Sequence, residues 1–235
     1  MKTFAIRPVV VATLLTTSSL GAWATDGYFS HGYGIKAKGM GGASVAMTQD
    51  AFGGANNPAT MVFVGSRLDL GVDWFSPKRH AERSGSAGGA VDFSAESDST
   101  NFFLPEFGYN RMLNPDMAVG LTVYGNGGMN TDYPGANTSC GQPGTSFNGL
   151  CGGGRLGVNL EQLIIAPTFS WKFHPSHSIG VAPLFGYQRF KAEGLQAFDN
   201  APGFPPFTGA PGDVTNKGTD SSTGWGIRVG YYGQI

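Results

Sequence analysis

Apolar and polar residues alternate one by one in six separate segments of the chain, the period of a β-strand with one apolar face. Over 67–75, Leu68, Leu70, Val72 and Trp74 oppose Arg67, Asp69, Gly71 and Asp73. Over 101–111, Phe103, Pro105, Phe107 and Tyr109 oppose Leu104, Glu106, Gly108 and Asn110, and over 117–124 Met117, Val119, Leu121 and Val123 oppose Ala118, Gly120, Thr122 and Tyr124. Segments 162–173, 178–191 and 224–232 repeat the pattern, with apolar faces that include Ile165 and Trp171, Ile179 and Phe185, and Trp225 and Ile227. Pro167 and Pro183 interrupt two of these segments. Proline cannot donate to a ladder, so each predicts a bulge or a locally broken pairing.

Alternation alone fits a buried sandwich face as well as a barrel wall. Side-chain size separates the two. The second face is mostly Gly, Ala, Ser and Thr with scattered charges (Arg67, Asp69, Asp73, Glu106, Lys172, Arg228), which suits a polar lumen. The apolar face ends in Trp, Tyr and Phe, which suits interfacial girdles. Slipping the first strand by one residue would put Arg67 and two aspartates into lipid, at a cost of about 2–4 kcal/mol for an arginine near the midplane, so the register is well specified. The connections alternate long (76–100), short (112–116), long (125–160), short (174–177) and long (192–221), as in bacterial outer-membrane barrels. Asn114-Pro115-Asp116 and His174-Pro175-Ser176-His177 supply turn chemistry to the short ones. The expected fold is all-β, an antiparallel transmembrane β-barrel.

Composition agrees with a wall that faces lipid. Only 13% of residues are charged, against a typical ~25%. The 38 glycines are far above the usual ~7% share. A net charge of −1 and the lack of a basic stripe leave no electrostatic case for nucleic acid. Lys2 and Arg7, the apolar run 9–15 and Ala22-Trp23-Ala24 predict a signal peptide over 1–24, cut before Thr25. That run is far short of the ~20 residues a spanning helix needs, and no later run reaches that length. Cys140 and Cys151 lie in a Gly/Asn/Ser-rich stretch of an exported chain, which predicts a short-loop disulfide contributing about 3 kcal/mol. A metal pair is the alternative, with no His or acidic residue between the two to complete it.

Between Thr25 and Val64 the alternation stops, and Gly39, Gly41, Gly42, Gly53 and Gly54 crowd a run of small residues. Such a segment has little to bury and needs another structure to hold it. Its place ahead of the first strand makes the lumen the natural holder, so 25–64 reads as a plug and 65–235 as barrel wall. Residues 34–61, "GIKAKGMGGASVAMTQDAFGGANNPATM", resemble the N-terminal hatch of the FadL/TodX-type outer-membrane transporters for long-chain fatty acids and other hydrophobic compounds. The resemblance rests on the Gly-rich run 39–43, Asp50-Ala51 and Asn57-Pro58-Ala59, and extends through the strand pattern to "GWGIRVGYYGQI" at 224–235.

The resemblance implies passive transport at the outer membrane. A hydrophobic ligand is captured from outside, enters a pocket in the barrel and is released by movement of the hatch. It leaves sideways through a gap in the wall at a kink in the third strand. Here that strand is 117–124, so the lateral-gate candidates are Tyr124, Gly125, Asn126 and Gly127; glycines weaken pairing, though an ordinary strand end running into a loop would use the same residues. The resemblance further implies contact with membrane lipid, folding by the outer-membrane assembly machinery and no cofactor. Barrels of this family have about fourteen strands, and closed bacterial barrels have an even number from about eight upward. Six predicted strands, and an end at Gln234-Ile235 in place of the aromatic residue the assembly machinery reads, mark the sequence as the N-terminal portion of a longer protein. The expectation is an incomplete curved sheet around a plug.

Catalytic chemistry finds no framework. His174 and His177 flank a predicted turn, Ser84 and Ser86 near His80 lie in a loop, no Gly-x-Ser-x-Gly elbow is present, and 39–42 lacks the Gly-Lys-Ser/Thr of a phosphate loop. No enzyme is expected. The competing function is a general porin or an adhesin-type barrel, and a porin needs no small-residue plug. Inward Phe102, Leu104 and Leu184 fit either an apolar pocket or packing against a plug.

Overall fold

The computed structural model describes residues 29–199 and 208–234, and the expected signal peptide, 1–24, lies outside them. The strands are β1 (Arg67–Phe75), β2 (His80–Arg83), β3 (Phe93–Glu96), β4 (Phe102–Asn114), β5 (Met117–Tyr133), β6 (Leu156–His174), β7 (His177–Glu193) and β8 (Asp220–Gly233). Six of them form one antiparallel sheet in the order β1-β4-β5-β6-β7-β8, and β2 and β3 make a separate hairpin within the first long connection. The sheet is not closed: β1 and β8 are its two edges, as expected for part of a barrel. No helix among the described residues is long and apolar enough to cross a membrane.

The alternation sorts the two faces as expected. Leu68, Leu70, Val72 and Trp74 on β1 and Trp225, Ile227, Val229 and Tyr231 on β8 are exposed, Leu70 at 73% and Trp225 at 86%. On the other face Ala118, Ala166 and Ala182 are completely buried, at 0%. An apolar surface turned outward across the six-stranded sheet, with small buried residues behind it, is the arrangement of a wall in lipid. Aromatic rings mark both ends of that surface. Trp74 stacks on Phe103 near the long connections, and Trp171, Phe173, His177 and Tyr231 form a chain of ring contacts near a short turn.

The short connections are two-residue turns at Pro115-Asp116 and Pro175-Ser176. In the first, Asn114 Oδ1 accepts the Asp116 N–H at 2.9 Å, the local bond that suits Asn to turns. The strands extend further toward the long connections than their alternation indicates. β5 continues past Tyr124 to Tyr133, and β6 begins at Leu156, with pairing sustained from Met129↔Leu160 to Tyr133↔Leu156. Residues 125–128, expected at a strand end or in a loop, therefore lie inside β5. Backbone pairing, not one-sided burial, carries these extensions, so their side chains follow no apolar period.

Both interrupting prolines lie where pairing fails. Between β6 and β7 the ladder runs to Ile165↔Phe185 and resumes at Phe169↔Val181 in the same register, and the unpaired stretch between contains Pro167 and Pro183. Each proline still has a partner on its other side, Leu121 on β5 and Ile227 on β8.

The orientation of the wall gives a direct prediction. Leu70→Arg places a guanidinium on the outward face and is expected to cost about 2–4 kcal/mol of folding free energy in lipid vesicles. Denaturant titration in vesicles checks it; a change near zero would mean that this face meets water.

Candidate functional site

Residues 29–64 form short pieces laid against the inner face of the sheet: helix α1 (Ile35–Gly39), helix α2 (Gly53–Asn56) and a 3-10 turn, Pro58–Phe63. Asn57 caps the last of these, its Oδ1 accepting the Ala59 N–H at 3.0 Å, with Pro58 in the first position, where no donor is lost. The Asn57 amide then ties two distant stretches together, Nδ2 donating to the carbonyls of Val45 at 2.8 Å and Tyr231 at 3.1 Å. The Ala59 carbonyl accepts from Ser170 Oγ at 2.9 Å and Ser178 Oγ at 2.7 Å, and both serines are fully buried.

Two wall glycines permit this approach. A Cβ on Gly180 would lie 2.3 Å from the Pro58 carbonyl carbon, and one on Gly230 would lie 2.0 Å from Asn57 Oδ1. Gly180 and Gly230 are ladder partners on β7 and β8, so together they open one niche that receives Asn57-Pro58-Ala59. Gly108 gives the same relief to the Ala51 carbonyl, 2.7 Å from its would-be Cβ.

Inward polar side chains satisfy the remaining backbone. Arg228 Nη1 donates to the Gly54 carbonyl at 2.9 Å and to that of Ala55. Asn110 Nδ2 donates to Met61 at 2.9 Å and Gly65 at 2.7 Å, and Asp69 accepts the Ala51 N–H at 2.9 Å. Buried Glu106 accepts the Gly34 N–H at 3.1 Å and Lys38 Nζ at 2.7 Å, and Lys38 also reaches Asp73 at 3.1 Å. Apolar contact completes the seat, with Tyr33, Phe52 and Ala55 packed on Tyr124, Ala166 and Ala182. Burial raises the pKa of the Tyr33 phenol. It also raises that of the Asp50 carboxyl, an effect opposed by the Phe52 N–H that Asp50 accepts.

A gap opens in the wall beside this seat. The β4–β5 ladder ends at Glu106↔Tyr124, while on the other side of β4 the pairing with β1 continues to Phe102. The first residue without a β5 partner is Pro105, which has no N–H to give. β5 shifts register against β6 between Asn126 and Met129. A cavity of about 790 Å³ occupies this place. Its lining includes Lys38, Leu104 and Asn126 from the inner side, and Phe103, Pro105 and Leu163 from the outward face. Tyr124 is buried beneath the Tyr33 ring, with centroids 4.2 Å apart, and Asn126 Oδ1 accepts the Tyr33 hydroxyl at 2.8 Å. Gly125 lines the cavity, and Gly127 lies in the shifted stretch of β5. Phe102 and Leu104 also line the cavity, whereas Leu184 packs against the buried cluster under the N-terminal segment.

The structure joins Cys140 and Cys151 in a disulfide within the β5–β6 connection. That loop is fastened to its neighbours, Arg83 Nη2 donating to the Gly149 carbonyl at 2.9 Å and Asn148 Nδ2 to that of Gly194 at 2.8 Å. Sequence reasoning singled out Asn57, Pro58 and Ala59 but not their receptors, Gly180, Gly230, Ser170 and Ser178. The signal was present as small residues at inward strand positions, and it fits a wet lumen equally well.

No protein-family model matches the chain, and no curated protein does. Solved structures do. The P. putida toluene transporter TodX is similar at a TM-score of 0.62 and 18% identity, over 89% of this chain and 52% of TodX. A Pseudomonas aeruginosa FadL homologue is similar at 0.53 and 15% identity, over 80% of this chain and 45% of the homologue. The chain spans about half the length of these structures. Likeness at this identity establishes architecture alone: the chain has the FadL/TodX-type fold.

Proposed function

We propose that this chain forms the N-terminal part of an outer-membrane barrel for passive transport of long-chain fatty acids or other hydrophobic compounds. Residues 29–64 act in it as the hatch, and the gap between β4 and β5 as a lateral exit. One observation carries the reading: a single cavity is lined both by residues of the inner face and by residues turned outward. Such a route suits an apolar ligand, which reaches hydrocarbon without crossing water. Similarity to a toluene transporter and a FadL homologue supports the same class of cargo. The hatch role draws on the dense polar seating of Asn57, Ala59 and Gly54. That seating consists of hydrogen bonds, each with a modest net contribution of about 0.5–1.5 kcal/mol, so it can be released stepwise.

Expression of the native gene in a host lacking its own transporters is expected to restore uptake of a labelled long-chain fatty acid or of toluene. Free sugar flux without either uptake would favour a general porin. Asn57→Ala removes a cap and two cross-links and is expected to weaken docking of 51–62 by about 2 kcal/mol, read as faster hydrogen exchange there. Leakage of small polar solutes should rise with it. For the exit, Leu104→Cys with Gly125→Cys sets two thiols across the gap, since a Cβ on Gly125 would lie 3.6 Å from the Leu104 Cβ, within disulfide range. Oxidation should abolish uptake and reductant should restore it, measured against wild type given the same reductant. Unchanged uptake in the oxidised pair would rule out this exit.

A further inference from the structure

Arg79 follows β1 in the first long connection and lines the same cavity. Its guanidinium lies 5.5 Å from the centroid of the Phe102 ring. Nη2 is shielded from solvent and has no hydrogen-bond acceptor among the described residues. Other charges in the lining are committed: Lys38 to Asp73 and Glu106, and Glu161 to Arg189. Among the described residues Arg79 forms no ion pair.

A guanidinium keeps its charge and presents a planar fork of donors that matches a carboxylate. A buried donor left without a partner is costly, and the ring beneath Arg79 compensates only in part. Burial lowers the Arg79 pKa, with Tyr133 acting in the opposite direction. The lining combines apolar Phe75, Phe102, Leu104 and Leu160 with neutral polar residues such as Asn101 and Asn130. The combination is a cation, unpaired among the described residues, beside a run of aromatic and aliphatic side chains.

We infer that Arg79 is the head-group site of the cavity and selects amphiphiles carrying a carboxylate on an apolar tail over neutral hydrocarbons. This rests on reading the cavity as the ligand path. An incoming carboxylate accepts from the Arg79 fork and supplies the acceptor that Nη2 lacks, while the tail lies along Phe102 and Leu104. A neutral ligand gains only the apolar contact and leaves the guanidinium unsatisfied.

The test compares a fluorescent polyene fatty acid with its methyl ester on the purified full chain in a nonionic detergent. Wild type is expected to bind the acid about tenfold more tightly than the ester, the scale of one charge-assisted contact. Arg79→Met should bring that ratio to within about twofold of one, and Arg79→Lys, which keeps the charge and loses the fork, should fall between. The ratio controls for misfolding, since a collapsed cavity would lose both ligands. Ester binding in wild type with no preference for the acid, or a preference that survives Arg79→Met, would overturn the assignment while leaving the cavity as a ligand path. Binding of neither ligand would overturn both.

Discussion

The structure depends on one close approach of two backbones. A Gly-rich, small-residue segment buries little apolar area, so it stays in place only if its peptide groups find partners. Gly180 and Gly230 are the condition for that, because a methyl group at either would stand within 2.3 Å of Asn57-Pro58 atoms. With the niche open, Ser170, Ser178 and the Tyr231 carbonyl come within reach, and the Ala59 and Asn57 groups are satisfied by the wall itself. Small residues on the wall and small residues on the segment are thus one requirement expressed twice.

Charge reinforces the seat without dominating it. Glu106 is buried and bonded to both Lys38 and the Gly34 N–H, so it is paired and hydrogen-bonded, the condition under which a buried carboxylate is tolerated. Such a pair contributes little net stability because desolvation offsets much of the attraction, yet removing one partner leaves an uncompensated charge. The consequence is specificity of placement. Lys38 holds α1 against β1 and β4 through Asp73 and Glu106, beside the cavity, while Arg228 holds α2 from β8 on the opposite flank.

Much of this was legible in the sequence, and the illegible parts share a cause. The faces of β1 and β8 follow from alternation because a period of two leaves no choice once one side is apolar. The broken ladder at Pro167 and Pro183 follows from a missing donor, a property of the residue alone. The course of β5 beyond Tyr124 did not follow, because Gly125, Asn126, Gly127 and Gly128 carry no apolar period; pairing of Gly125 and Asn126 with β6, resumed at Met129 after the register shift, carries the strand onward. Arg79 was invisible for a related reason. Its distinction is an unpaired Nη2 in a cavity, and pairing is decided by residues distant in sequence.

Two of the wall's pairing defects lie beside prolines, and they differ in what packs behind them. Between β6 and β7 the ladder is missing beside Pro167 and Pro183, but directly inside lie Ala166 and Ala182, fully buried under Phe52 and Ala55 of the N-terminal segment. Between β4 and β5 the ladder ends before Pro105, and what lies inside is a cavity, with Ser30, His31, Lys38 and Gly41 of the N-terminal segment along its lining. The chemistry of the interruption is the same in both places, an imino acid that cannot donate. What differs is the packing behind it. A missing ladder bond weakens the wall; behind Pro167 and Pro183 the segment seated by Gly180 and Gly230 packs closely, and behind Pro105 it borders a cavity.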